Sequence, residues 1–292
     1  MDNVEQMFGW IRQKPSEKDR GIDHPTNAGL LNAVNIAKLA ALPTKVDLRQ
    51  YDIPIVDQGN LGSCTANALA GLLGWYIHKN NGFVFVASRL FTYYYTRSIE
   101  GVPTNQDTGA TIRATIGSLA MFGVPPEKSS LYNISWPYDI TKYTQAPPVE
   151  TSFAALNYQG VTYALVDKPG TSDVLSAVKT VLATGYPMEF GFDVYPSYTQ
   201  SGKTGAFPVP TKNEKITAGH AIVAVGYDDS YVTTNTTDNS KSTGALLIRN
   251  SWGTTWGNAG YGYLPYWYLQ NGKASDFWTL TGAKFLNAGQ FV

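Results

Sequence analysis

The chain reads Gln58-Gly59-Asn60-Leu61-Gly62-Ser63-Cys64-Thr65-Ala66 around its single cysteine. One cysteine cannot form an intrachain disulfide, so this thiol is a buried apolar side chain, a half-site for a partner, or a nucleophile. A glycine-punctuated turn precedes Cys64, and a helix-forming run follows it. At the N-terminus of a helix, backbone N–H groups and the helix dipole favour an anion, which lowers the pKa of a thiol. This setting favours the nucleophile.

The composition excludes several classes of protein. Hydrophobic residues make up 43% of the 292 residues and charged residues 15%, which is typical of a compact globular protein. Lys plus Arg and Asp plus Glu each number 22, so the net charge indicates neither a nucleic-acid partner nor a membrane partner. Residues 1–20 lack the apolar core of a signal peptide, and no apolar stretch is long enough to span a membrane. We expect an intracellular, cytoplasmic monomer, in keeping with the absence of disulfides.

Helical periodicity dominates the first part of the chain, and strand patterns dominate the second. Helices are predicted at residues 64–78, with Ser63 as the N-cap, and at residues 88–99, 109–122 and 172–184. Strands are predicted at residues 187–194, 218–227, 245–249, 260–265 and 276–281. Residues 230–244 are rich in Thr, Ser and Asn and are predicted to form an exposed hairpin loop. This order predicts an α+β chain with two lobes.

A thiol nucleophile needs a base, and the chain has three histidines. His24 lies in the N-terminal extension. His78 lies at the far end of the predicted helix that begins at Cys64, roughly 20 Å away at 1.5 Å per residue. His220 begins an apolar strand. By elimination, His220 is the candidate base.

Further polar residues complete a candidate catalytic group. Asn250 ends a strand, and its side-chain carbonyl can accept a hydrogen bond from one imidazole nitrogen and turn the other toward sulfur. Trp252 would shield that hydrogen bond from water. The side-chain amide of Gln58 and the backbone N–H of Cys64 would form an oxyanion hole. No spacing of His and Cys indicates a metal site, and this chemistry needs no cofactor.

Three segments, residues 58–68, 219–227 and 250–261, resemble the papain/cathepsin cysteine peptidases in the order Cys, His, Asn. The family usually has a disulfide-forming cysteine three residues before the nucleophile, where this chain has Leu61. It usually has Trp after the nucleophile, where this chain has Thr65.

A third departure is the replacement of the family's Cys-Asn-Gly-Gly-type stretch by Gln106-Asp107-Thr108-Gly109-Ala110. These departures are similar to the disulfide-free branch of bacteria, archaea and large DNA viruses. They leave the inside of a viral particle as an alternative location. They also imply that packing alone holds the loop before Cys64.

The resemblance implies a papain-like two-lobe fold over residues 44–292. A helical lobe at roughly 55–160 and an antiparallel β-barrel-like lobe at roughly 161–285 would flank the active-site cleft. The activity implied is that of a cysteine endopeptidase on protein or peptide substrates. A thiolate at Cys64 and an imidazolium at His220 would act through a thioester acyl-enzyme.

The resemblance also implies where a substrate would bind. Gly109 would offer its backbone to an extended peptide. The second specificity pocket would draw on Phe190 or Phe192 and on Asp276. If Asp276 points into that pocket, a basic side chain is accommodated there; if it points out, an apolar or aromatic side chain is accommodated.

Residues 1–43 form an N-terminal extension, and the family resemblance implies that it would be the pro-segment of a zymogen. Thr26 is predicted to cap a helix whose apolar stripe runs from Leu30 to Leu42 and ends at Pro43. We expect this stripe to hold the extension across the cleft. The alternative is that the extension packs on the back of a lobe.

Each candidate residue also has a structural interpretation, in which Cys64 is a core side chain, Asn250 a strand-end cap and Gln58 a turn residue. Two other functions therefore stay open. One is a catalytically silent binding or scaffold protein with the papain fold. The other is an acyl or amine transferase that uses the same thiol.

Overall fold

The computed structural model describes residues 8–128 and 134–285. The helices, numbered in chain order, are α1 Ala28–Ala37, α2 Cys64–Asn81, α3 Arg89–Ile99, α4 Ile112–Phe122, α5 Val149–Ala155, α6 Val174–Ala183 and α7 Trp267–Gln270. The strands are β1 Lys45–Asp47, β2 Tyr158–Leu165, β3 Met188–Val194, β4 Ala218–Thr234, β5 Lys241–Arg249, β6 Tyr261–Pro265 and β7 Ala274–Phe285. None of the helices in these two ranges is both long enough and apolar enough to cross a membrane.

The strands form a single antiparallel sheet in the order β2-β7-β3-β4-β5-β6, with β1 paired to β4. This arrangement confirms the α+β prediction. The sheet is open, because no ladder joins its end strands β2 and β6 in the described part of the chain. The closed, barrel-like shape expected for this lobe is therefore not formed.

Both faces of the sheet are buried, and strand alternation divides the side chains between them. Phe190 and Phe192 of β3 pack into one core cluster, together with α6. Ala221 and Val223 of β4 face the other cluster, whose members include much of α2. Helix α2 is buried along most of its length, so it lies at the centre of the molecule with its first residue, Cys64, against the sheet.

The predicted elements are found with altered ends. Ser63 is the N-cap residue of α2, but its hydroxyl pairs with Tyr138 Oη at 2.6 Å and makes no capping bond. Ser88 and Thr111 cap α3 and α4 with their side chains, so both helices begin after these residues. Strands β4 and β5 extend through most of the predicted loop at 230–244, where the hairpin ladder reaches Thr234 and Lys241. The patterns missed β2 and α5.

The N-terminal extension contains a shorter helix than its apolar stripe predicts. Helix α1 ends at Ala37 and not at Pro43, and Thr26 lies in a 3-10 turn ahead of it, capped by His24. Of the stripe, Leu30 and Val34 enter the core on the α6 side of the sheet. Ile36 and Leu39 are exposed. The stripe therefore anchors the extension to one lobe and does not itself lie across a cleft.

A buried arginine connects the end of β5 to α2. The guanidinium of Arg249 donates to Asp52 Oδ1 at 2.9 Å and to the carbonyls of Ile53 and Pro54 at 2.6 Å each. A Cβ atom placed on Gly71 of α2 would lie 2.8 Å from Arg249 Nε. Close approach of the helix to this guanidinium therefore requires glycine at position 71.

We predict that Gly71→Ala lowers the free energy of unfolding by about 1–3 kcal/mol, because the held guanidinium cannot yield to the added methyl group. Gly117→Ala on α4 is the matched control, since its Cβ meets nothing within 4 Å. Alanine there stabilises the helix by roughly 0.5–1 kcal/mol. Urea unfolding of both variants measures the difference. Equal stabilities of the two variants would contradict this account of the packing.

Candidate active site

Cys64 is the first residue of α2 and is fully buried. Burial raises the pKa of its thiol to about 12, against hydrogen bonds from the backbone of Ala221, Gly9 and Thr65, which lower it. Ala221 directly follows His220 on β4. The N-terminus of α2 and the start of β4 thus bring the thiol and the imidazole into one site, and the thiol is neutral there.

His220 is held by its two predicted neighbours. His220 Nε2 lies 2.9 Å from Asn250 Oδ1, which also accepts the backbone N–H of Ser251 at 2.8 Å. Because an amide oxygen only accepts, we assign the imidazole proton to Nε2, which leaves Nδ1 as the acceptor. Trp252 stacks on the ring with centroids 4.7 Å apart and planes at 21°. Burial lowers the pKa of His220 to about 4, although the Asn250 bond raises it, so the ring is neutral.

Gln58 is fully buried, and its amide is oriented by the residue that follows Asn250. Ser251 Oγ donates to Gln58 Oε1 at 2.6 Å, and the backbone N–H of Gln58 donates to the Ser251 carbonyl at 2.9 Å. Gln58 Nε2 donates to the carbonyl of Leu61 at 3.0 Å, on the loop before Cys64. The amide nitrogen is therefore directed toward the loop that leads into Cys64. Sequence reasoning missed Ser251, whose only signal was its position between Asn250 and Trp252.

The buried ion pair of Arg89 and Glu127 also contacts the start of the loop before Cys64. Arg89 Nε and Nη2 donate to the Glu127 carboxylate at 2.7 and 2.8 Å. Arg89 Nη1 donates at 2.8 Å to both the Asp57 carbonyl and Asn67 Oδ1. The ring of Tyr138 lies 3.7 Å from the guanidinium carbon. No local sequence pattern marks these residues, because their partners are distant along the chain.

The N-terminal extension passes directly over the thiol. Ala110 N–H donates to the Gly9 carbonyl at 2.8 Å, and Ile11 N–H donates to the Ala110 carbonyl at 3.0 Å. Trp10 N–H donates to the Gly219 carbonyl at 3.0 Å. Gly109, the residue predicted to bind a peptide backbone, donates its N–H to Tyr93 Oη at 3.0 Å. The extended segment makes its hydrogen bonds with Ala110 and also packs on Gly109, where a Cβ atom would lie 2.3 Å from the Gly9 carbonyl oxygen.

The indole of Trp10 fills a pocket between β3, β4 and β7. A Cβ atom on Gly191 would fall 1.9 Å from the Trp10 ring, so only glycine leaves this space open. Phe190 and Phe192, the predicted pocket residues, point to the opposite face of the sheet because side chains alternate along a strand. Asp276 does point into the pocket, and Trp10 Nε1 donates to its Oδ2 at 3.1 Å.

Ionisation of the Asp276 carboxyl is unfavourable while residues 8–13 cover the pocket. Burial raises its pKa to about 7, and nearby Asp167 adds to the rise. The hydrogen bonds from Gln13 N–H and from the Trp10 indole lower the pKa of Asp276, and so does the positive charge of Arg12. The covered pocket therefore binds a proton over a pH range in which a solvated carboxyl would be ionised.

The ring of Phe8 covers the imidazole. Its centroid lies 5.7 Å from that of His220, 5.9 Å from Trp252 and 5.1 Å from Tyr198, each in an edge-to-face arrangement. Residues 8–13 thus exclude water from both the thiol and the imidazole. Within residues 8–128 and 134–285, no group of three or more His, Cys, Asp or Glu is arranged to hold a metal ion.

Comparisons with known proteins agree with this geometry. The model of the papain family cysteine proteases matches residues 94–271, which include His220 and Asn250. An uncharacterized peptidase C1-like protein of Acanthamoeba polyphaga mimivirus is 34% identical over 291 residues, which is 95% of this chain and 87% of that protein. The chain belongs to the papain family of cysteine proteases.

A match to a bacterial structure, together with the mimivirus relative, supports a papain-like branch found in bacteria and large viruses. Xylellain, a cysteine protease from Xylella fastidiosa, superposes with a TM-score of 0.73 at 33% identity, over 97% of each chain. Cathepsin K of Gallus gallus is 26% identical over 75% of this chain and 58% of its own length. The predicted papain-like fold and the assignment as a papain-like protease are confirmed, and the substrates of this protease are peptides or proteins.

We predict that Trp10→Ala in the full-length chain raises the rate of Cys64 alkylation by iodoacetamide at pH 7 at least tenfold. Loss of the indole opens the pocket and lets water reach the thiol, so the burial that raises its pKa is relieved. Ile11→Ala is the matched control, because this neighbour is 45% exposed. Equal rates for the two variants would show that the indole does not hold the segment over the thiol.

The parent chain should also open as the pH rises. The covered state holds a proton on Asp276 between the carboxyl's ordinary pKa of 3.8 and about 7, and solvation on opening releases it. Raising the pH through this window therefore weakens the covered state. The ratio of the parent's alkylation rate to that of Trp10→Ala should increase from pH 5 to pH 8. A constant or falling ratio would contradict the prediction that rising pH favours the open state.

Proposed function

We propose that this protease is an endopeptidase in which Cys64 is the nucleophile and His220 the base. The observation that carries the proposal is the 2.9 Å contact between His220 Nε2 and Asn250 Oδ1, beside a thiol that the backbone of Ala221 contacts. This contact directs the unprotonated Nδ1 away from Asn250. One proton acceptor and one thiol then share a site at the N-terminus of a helix.

The first step is proton transfer within the uncovered site. When residues 8–13 leave, water enters and the burial that favours the neutral thiol and the neutral imidazole is relieved. The proton on Cys64 Sγ moves to His220 Nδ1. The N-terminus of α2 stabilises the thiolate, and Asn250 Oδ1 stabilises the imidazolium through Nε2–H. The site then holds an ion pair with no change in net charge.

The thiolate attacks the carbonyl carbon of the scissile peptide bond, and the carbonyl oxygen becomes an oxyanion. The backbone N–H of Cys64 and Nε2 of Gln58 donate to this oxyanion. His220 Nδ1–H protonates the leaving amine, the C–N bond breaks, and a thioester on Sγ remains. Water then loses a proton to Nδ1 and attacks the thioester. The acid product leaves, and thiolate and imidazolium are restored.

We predict that full-length Trp10→Ala digests a peptide library and that Cys64→Ala and His220→Ala in the same background lose activity on the order of 10⁶-fold. Gln58→Ala should lose roughly 10²–10³-fold through one missing oxyanion donor. His78→Ala is the control, because this histidine is at the other end of α2 with Nδ1 on the Tyr51 carbonyl. Mass spectrometry of the digests gives both the rates and the cleavage sites.

The same assay separates the rival functions. A silent scaffold protein would leave the library intact in every variant. A transferase would consume peptides only when an amine acceptor is added, and the acceptor would be found in the product. Hydrolysis that persists in Cys64→Ala would contradict the proposed nucleophile.

The N-terminal extension acts as an inhibitory pro-segment in this proposal. Its support is the position of Phe8 over His220 and of Gly9 over Cys64. Helix α1 packs on the core through Leu30 and Val34, which supports a segment that is anchored by one part and covers the site with another. Residues 38–41, between α1 and β1, are exposed and lie outside the helices and strands, which suits cleavage there.

The pocket that holds Trp10 is the proposed specificity pocket. Because Asp276 lines it, a basic side chain would place its cation on this carboxylate once the pocket is hydrated. An aromatic side chain with an N–H donor would bind as Trp10 does. Gly191 and Gly219 leave room for either.

We predict that Asp276→Asn lowers kcat/KM for peptides with Arg or Lys in this pocket at least tenfold at pH 8. A hydrogen bond to a charged group contributes about 1.5–3 kcal/mol, and the amide cannot supply it. Peptides with Trp in the pocket should change less than about threefold, since the amide oxygen still accepts from an indole. The two peptide series, compared in the Trp10→Ala background, measure this. An equal loss for both series would place Asp276 outside substrate recognition.

A further inference from the structure

Asp107 joins its own loop to the loop before Cys64. Its Oδ2 and Oδ1 accept the backbone N–H of Gly62 at 2.9 and 3.2 Å. Oδ1 also accepts the hydroxyl of Tyr93. The same hydroxyl accepts the backbone N–H of Gly109 at 3.0 Å. One carboxylate and one phenol therefore join the loop before Cys64 to the loop that ends at Ala110.

Tyr93 is fixed in this arrangement by its surroundings. Its side chain is fully buried, and the guanidinium carbon of Arg97 lies 4.2 Å from its ring centroid. Arg97 Nη1 also donates to the carbonyls of Thr104 and Gln106 at 2.7 and 2.6 Å. Burial, followed by the Asp107 hydrogen bond, raises the pKa of Tyr93, so the phenol keeps its proton and donates. The loop from 104 to 110 is thus held from the α3 side.

The hydrogen bonds of Asp107 and Tyr93 reach Gly62 on one loop and Gly109 on the other, and these two glycines lie beside residues with different proposed roles. Gly62 is two residues before Cys64, and its neighbour Leu61 carries the carbonyl that accepts Gln58 Nε2. The hydrogen bond to Gly62 therefore fixes the loop next to both proposed oxyanion donors, Gln58 Nε2 and the backbone N–H of Cys64. Gly109 precedes Ala110, whose N–H and C=O pair with the extended N-terminal segment. The hydrogen bond from Gly109 therefore fixes the backbone edge that a peptide would use.

We propose that Asp107 is a positioning residue that couples the oxyanion donors to the peptide-binding edge. It does so in a chain whose single cysteine leaves no disulfide available for the task. The hydrogen bonds of the carboxylate run to Gly62 and Tyr93 and not to the thiol. It acts by fixing Gly62 on one side and, through Tyr93, Gly109 on the other. This inference rests on the proposed peptidase function for its kinetic consequences, and on the hydrogen bonds alone for its structural ones.

The kinetic test uses full-length Trp10→Ala as the parent. Asp107→Ala should lower kcat at least tenfold and raise KM at least threefold, because both ends are released. Tyr93→Phe keeps the Gly62 contact and loses the Gly109 contact, so KM should rise while kcat stays within twofold. Asp107→Asn should recover most of the lost kcat, since its amide oxygen can still accept. The controls are Tyr94→Phe, at a half-buried tyrosine that follows Tyr93, and Asp139→Ala, at an aspartate whose side chain is 43% exposed.

The structural test does not need turnover. In full-length Cys64→Ala, amide hydrogen exchange at Gly62 and Gly109 should be at least tenfold faster with Asp107→Ala. Tyr93→Phe should affect Gly109 alone. Unchanged exchange at either glycine in Asp107→Ala overturns the inference, whatever the activity. Absence of turnover in the parent, with exchange altered as expected, would contradict the proposed function and leave the connection established.

The pattern of kinetic effects is equally decisive. If Tyr93→Phe lowers kcat as much as Asp107→Ala does, the effects of the Gly62 and Gly109 contacts cannot be separated. The proposal that Asp107 couples the oxyanion donors to the peptide-binding edge would then be wrong. If Asp107→Ala only lowers the melting temperature and leaves kcat and KM at the level of Asp139→Ala, the residue has a structural role alone.

Discussion

The contact between the N-terminus of α2 and the start of β4 is the constraint on which the site depends. Helix α2 is buried almost throughout, so the cores on either side of it fix its axis, and Cys64 can only lie where the helix begins. The backbone of Ala221 meets the thiol there. His220 lies near the start of β4 and Asn250 directly follows the neighbouring strand β5, and their side chains meet at 2.9 Å, so the other proposed catalytic residues lie at the same end of the sheet as this packing contact.

The same contact explains why the covered site is chemically inactive. A helix N-terminus favours a thiolate, but burial beneath Gly9 raises the pKa of the Cys64 thiol to about 12. Burial lowers the pKa of His220, whose ring lies beside Phe8, to about 4. Burial opposes the charged form of both groups, and the hydrogen bonds to each group offset only part of the cost while water is excluded. The protein can therefore keep the complete group assembled and neutral, and hydration alone changes its protonation.

Much of the site could be predicted from the sequence because its members lie in short local patterns. Cys64 follows a glycine-rich turn, and His220 and Asn250 stand at strand ends, so local rules locate them. Trp10 could not be found in this way, because its pocket is formed by glycines on strands far along the chain. The pocket prediction at Phe190 and Phe192 was displaced by one residue, since a shift of one position along a strand moves a side chain to the other face.

Long-range polar contacts were the other part beyond prediction. Ser251, Arg89 and Asp107 each act through a partner between 38 and 193 residues away, and no periodicity encodes such a pairing. The expectation that packing alone holds the loop before Cys64 was incomplete for this reason, because a carboxylate holds it. The closed shape was expected from the family resemblance, and the strand order, with β2 and β6 at its two ends, corrects it.

The most direct test of the central claim is a crystal structure of the full-length chain after reaction with an epoxysuccinyl-type thiol inhibitor. The account predicts a covalent bond to Cys64 Sγ, inhibitor backbone on Ala110 and Gly219, and residues 8–13 displaced from the thiol. His220 should keep its contact with Asn250. An unmodified thiol in an inhibitor-saturated crystal, or an adduct formed with Gly9 and Trp10 still in place, would contradict it.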